Sequence, residues 1–106
     1  MKKVFEMAVF DAFQRAKNSR KLCRFQADGA EKPLLAEIHE LGVTGEGIPV
    51  ALAFVLPEGK DGEGAAQGWE LIPLGEVHAP QVQEGDARDD REGGALLSTR
   101  ISHRIQ

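Results

Sequence analysis

At 106 residues, with 42% apolar side chains and one cysteine, the chain is sized for a single modest core and excludes an internal disulfide. A net charge of −4 makes it a poor general partner for nucleic-acid phosphates, which need clustered Lys and Arg. The longest apolar run, Ile48 to Leu56, is strand-sized and contains Pro49, and Glu6 and Asp11 interrupt what would be a signal peptide, so a cytoplasmic protein with no membrane segment is expected.

The chain order begins with a helix. Val4, Phe5, Ala8, Val9, Ala12, Phe13 and Ala16 recur at spacings of one, three and four, so the pattern predicts a helix over 4–17 with one apolar stripe. Asn18 and Ser19 are its expected terminators, and Lys17, Arg20 and Lys21 stand where a helix C-terminus favours cations. Residues 1–32 carry eight Lys/Arg against four Asp/Glu, whereas 33–92 carry three against thirteen. The basic residues of the first segment either solvate the helix end or form a local patch.

The period then changes to two. Leu22–Gln26 reads as a strand, Asp28-Gly29 as a turn, and Leu34–Leu41 as a second strand with Leu34, Ala36 and Ile38 opposite Leu35, Glu37 and His39. Three glycines in 42–47 mark another turn. Ile48–Leu56, apolar on both faces, suits a central strand covered on both sides. Residues 59–68 read as a solvated hairpin loop. Trp69–Leu74 and Glu76–Val82 are the last two strands, broken at Gly75, with Pro73 and Pro80 confining them to an edge or to bulges. One helix and five short strands predict an α+β, mainly β domain over 1–83: a small, strongly bent barrel with the helix packed across it. Residues 84–95 read as a charged, glycine-containing linker, and 96–106 as an apolar and basic tail that folds back or docks on a partner. In that tail Leu97, Ile101 and Ile105 lie four apart, but Leu97, Thr99, Ile101, His103 and Ile105 also alternate. Helix and strand both fit.

No motif for chemistry stands out. The 59–68 loop lacks the Gly-Lys-Ser/Thr ending of a phosphate loop, and its acids lack a calcium-loop spacing. His39, His78 and His103 fall in three elements without a ligand pair, so neither metal nor cofactor is expected. Cys23 has basic neighbours but no placed base, which favours a buried strand cysteine over a nucleophile. No enzyme activity is expected. The contact candidates are Arg20, Lys21 and Arg24, with His39 and Trp69 on neighbouring strands, since small barrels bind single strands or nucleotides by pairing cations with an aromatic platform. Trp69, the only Trp in a chain without Tyr, fits a barrel-closing plug better than a stacking surface.

The pieces Arg20-Lys21-Leu22-Cys23-Arg24-Phe25, Ala36 to Thr44, Gly47 to Leu52 and Gly68 to Val77 occur in an order that resembles the WYL domain family, prokaryotic modules with an Sm-like barrel. The resemblance spans about Val9 to Val82 and implies a five-stranded Sm-like fold and a regulatory or sensing role, often through nucleic acid or a nucleotide-like ligand. Val50-Ala51-Leu52 stands where the naming tripeptide belongs, Phe25 replaces a Tyr, and Leu34 or Leu35 falls where an Arg is usual. No helix-turn-helix pattern precedes the helix, so the chain is similar to a stand-alone, degenerate member. Two functions are expected from these readings: a binding module for single-stranded nucleic acid or a nucleotide, or a protein-interaction subunit that docks a partner or a second copy through Leu97, Ile101 and Ile105.

Overall fold

The computed structural model describes residues 7–56, 68–88 and 93–105. The expected first turn of the helix, the 59–68 loop up to Gln67, residues 89–92 of the linker and Gln106 lie outside the described residues.

Helix α1 spans Met7–Ser19 and buries Val9, Ala12, Phe13 and Ala16 of the expected stripe, while Ala8 is exposed. Its end is built locally: the Ser19 hydroxyl donates back to the Arg15 carbonyl, and Arg20 takes a left-handed φ of 55° that turns the chain out of the helix. Strand β1 (Lys21–Ala27) starts there and buries Cys23 and Phe25 beneath the helix. Phe13 meets Phe25 edge-on, with ring centroids 5.1 Å apart.

β2 is the longest strand, Leu34–Thr44, and outruns the sequence expectation by three residues. A register shift between Ile38 and Glu40 explains why: the bulge resets the phase, so Leu41 faces the same core as Ile38. β3 (Pro49–Leu56) returns through a tight turn in which Gly47 adopts φ 84° and Thr44 accepts the Ile48 amide on its hydroxyl. β4 (Gly68–Pro73) pairs with β3, and a single 3-10 turn, Leu74–Glu76, leads into β5 (Val77–Asp86), which pairs with β1. Ala79 sits at a register shift in that pairing with φ 51°, just before Pro80.

The tail is where the strand count departs from five. Ala95–Ser98 forms one helical turn, α2, and Ile101–Ile105 forms β6, antiparallel to the second half of β2. Both readings of the tail hold in part: Leu97 lies in the helical turn, and in the strand Ile101, 4% exposed, packs with Val50 and Leu52 in a small second core, with Trp69, Leu71 and Leu97 around it. β5 also continues to Asp86, three residues into the stretch read as a linker.

The result is α+β and mainly β: one N-terminal helix and a six-stranded antiparallel sheet in the order β4-β3-β2-β1-β5, with β6 on β2. Among the described residues the sheet is unclosed, since β4 and β5 are not paired. β3 runs along one edge of β2. The other edge is shared: β1 takes residues 34–37 and β6 takes 41–44, leaving 38–40 with neither. No helix among the described residues is long and apolar enough to cross a membrane.

Candidate ligand-binding face

Directly paired residues on antiparallel strands share a face, so the registers define rows across the sheet. Leu22, Glu37, Phe54 and Trp69 form one row on the face away from α1. Arg24 and Leu35 form the next row. Ala87 and Arg88, directly after β5, are each tied to the sheet. The Ala87 amide donates to the Arg20 carbonyl at 2.8 Å, and the Arg88 amide donates to Glu37 Oε2 at 3.0 Å.

Glu37 is the unexpected member, a carboxylate only 1% exposed in mid-sheet. A buried charge needs partners, and here His39 Nε2 donates to Oε1 at 3.0 Å while the Arg88 amide serves the other oxygen. The Glu37-x-His39 spacing, two apart on a strand, was the sequence signal for this pair; nothing in the charged stretch around Arg88 announced its part. The His39 ring lies 4.7 Å from that of Trp69, and Phe54 meets Trp69 edge-on at 5.5 Å.

Trp69 is half-buried. A methyl group built on Gly94 would come within 3.0 Å of three atoms of its six-membered ring, and one on Gly93 would lie 3.4 Å from the pyrrole side. Gly94 thus lets the backbone lie on the indole where a side chain would crowd it, and Gly93 supplies the φ of 103° beside it. Beside this contact opens a cleft of about 500 Å³, lined by His39, Glu40, Leu52, Trp69, Ala95 and Ser98 among others. Its acidic wall is occupied from within: Ser98 donates to both Glu40 oxygens (3.1 and 2.9 Å), and Arg104 Nε donates to Glu40 Oε1.

A second cleft, about 200 Å³, is lined by Lys17, Arg20, Ile38, His39, Ala87 and Arg88. His39 belongs to both. Of the residues expected as contacts, the fold brings His39 against Trp69 and Arg20 beside His39, and puts Arg24 on the same face. Lys21 is committed elsewhere, with Nζ 2.6 Å from Asp86 Oδ1 and 3.2 Å from the Glu84 carbonyl. Leu97, Ile101 and Ile105 rest on their own chain, Leu97 and Ile101 in the second core and Ile105 against the main one.

The remaining candidates settle simply. Cys23 is fully buried, and burial pushes its thiol up to about 11, the nearby Gln81 backbone and Arg15 charge opposing this only in part. It is a core residue. His78 is exposed and pairs with Asp28 at 2.8 Å. Among the described residues no three His, Cys, Asp or Glu side chains gather as a metal site.

No family model, no curated protein and no solved structure matches the chain.

Proposed function

We propose that this chain is a WYL-like binding module on an Sm-like barrel, and that its ligand is nucleotide-like. The carrying observation is that His39 lines two adjoining clefts of different chemistry, one aromatic with Trp69 and one basic with Lys17, Arg20 and Arg88. A nucleotide has that division: a planar base for the Trp69 side and a phosphate for the basic side. The strand order supports the barrel half of the reading. A meander whose two outermost strands are joined by one 3-10 turn has its edges drawn toward each other, as in a small bent barrel. A short basic cleft, in a chain of net charge −4, favours a mononucleotide over a long single strand.

The test is a titration with adenosine monophosphate and with a short oligothymidylate at low ionic strength, read by emission of the single Trp. The mononucleotide is expected to quench Trp69 saturably, with affinity falling at least tenfold in His39→Ala and falling again as salt is raised. An emission spectrum indifferent to both ligands at millimolar concentration would sink the reading.

A second reading has one observation of its own. β6 pairs only with β2 among the described residues, and Ser102, His103 and Arg104 are exposed along it, so its outer edge can accept another strand. The chain is then an interaction subunit. Deleting 93–106 would change its sedimentation profile, and an identical profile with and without those residues rules this out.

A further inference from the structure

We propose that buried Glu37 holds the His39 ring with Nδ1 as a bare acceptor, and that this nitrogen selects a ligand whose planar ring carries an N–H or O–H donor at its edge. The inference rests on the nucleotide reading above and narrows it to bases with a donor edge, such as the amino group of adenine.

The backbone sets the place of the ring. Ile38 pairs with Ala53 and Glu40 with Leu52, so two neighbours on β3 face three residues of β2, and His39 is the extra one. A bulge re-aims the side chain it carries. Here the imidazole reaches Glu37, two residues back, and lies 4.7 Å from the Trp69 ring of β4, tilted by 54°. It stands on the wall of both clefts.

Glu37 then fixes the proton. An ionised carboxylate only accepts, so Nε2, 3.0 Å from Oε1, carries the ring hydrogen. The Arg88 amide donates to the other oxygen. In a neutral imidazole this leaves Nδ1 with a lone pair and no hydrogen. Nδ1 makes no hydrogen bond among the described residues, where the polar side-chain atom that is both buried and unpartnered is a Glu70 oxygen. Nδ1 therefore opens on the clefts that its ring lines. The side chain is only 19% exposed. An acceptor with so little water around it is stabilised by a ligand donor and penalises a ligand that brings none. Trp69 beside it supplies the flat apolar contact for the rest of such a ring.

Two measurements test this. The first reads the His39 ring nitrogens by NMR at pH 8 in the parent chain and in Glu37→Gln. The parent should carry its hydrogen on Nε2 alone. The variant has one side-chain oxygen, which the Arg88 amide requires, so its NH2 end turns to His39 and the hydrogen moves to Nδ1. The second compares ligands that differ by one donor. Adenosine monophosphate is set against purine riboside monophosphate, which lacks the amino group, and phenol against toluene. Phenol is the more polar of its pair, so a preference for it runs against simple apolar burial. The donor-bearing member should bind the parent about tenfold more tightly, and Glu37→Gln should erase or reverse that margin. Should that variant fail to fold, the parent's ring proton and its ligand preferences decide alone. A hydrogen on Nδ1 of the parent overturns the inference. Equal affinities within each pair also overturn it, and leave the nucleotide reading standing where both nucleotides bind. Preference for phenol with no binding of either nucleotide supports the inference and removes that reading. If none of the four binds, both fall.

Discussion

Cys23 shows how firmly a single residue's fate was set by its neighbours. It lies under α1 with no exposed surface, and its thiol is raised from 9.0 to about 11 by burial. A raised pKa on a group that is neutral when protonated means the folded state keeps a proton that the unfolded chain gives up. The stabilisation is therefore complete below pH 9 and disappears as pH climbs toward 11, a loss of about 2–3 kcal/mol in all. Native protein at pH 8 should be inert to a thiol-disulfide reagent and react fully once denaturant is added. Rapid labelling of the folded chain would show that Cys23 is open to solvent. The period-two pattern around Cys23 made its burial readable. Glu37 was not readable, because alternation put it on the outer face and the sequence held no sign that the Arg88 amide would meet it there. Its partner His39 was visible only as a candidate, and Gly94, which packs on Trp69, looked like one more linker glycine.

At the scale of elements, the seating of β6 is the sharpest constraint. A methyl group on Gly42 would come within 2.4 Å of both the His103 carbonyl oxygen and the Ile101 side chain. Gly42→Ala should therefore push β6 off β2 and destabilise the protein by about 1–3 kcal/mol, as an overpacked site does. Chemical denaturation measures the loss, and the amides of residues 101–105 should exchange faster than those of β3. Unchanged stability would mean that β6 is more loosely held than its geometry indicates. A gentler change works in the opposite direction at β5. Ala79 holds φ 51° ahead of a proline, a conformation costly for any residue with a Cβ, so Ala79→Gly should raise the midpoint of unfolding or leave it unaltered. The helix and most of the first four strands were legible, from periodicity in the helix and first two strands and from an unbroken apolar run in β3. The last three residues of β2 and the whole of β6 were not, since a bulge breaks the first pattern and the tail satisfies two periods at once. Only the unpaired edge of β2 decided between them.

Over the whole molecule, the α+β, mainly β reading with one N-terminal helix held, while the sheet has six strands rather than five and is unclosed among the described residues. Composition and spacing carry the number of turns well, but they do not say which strand edges meet. The candidate face was legible in part: His39 and Trp69 were expected on neighbouring strands, and although β3 lies between β2 and β4 their rings do meet. Lys17 was read only as a helix-end cation and Arg88 as part of a linker, because the Ala87 amide's bond to the Arg20 carbonyl and the Arg88 amide's bond to the Glu37 carboxylate join segments that no local pattern relates.

The divided edge of β2 also orders the events of folding. β1 to β4 form a meander of adjacent strands, whereas both β5 and β6 must find partners far back in the sequence. Non-local pairings are the slow ones. While the chain is being made, β1 and the latter half of β2 wait with one side bare until residues 77–105 have emerged. That interval, rather than the finished protein, is when the sheet is most exposed to pairing with a stranger.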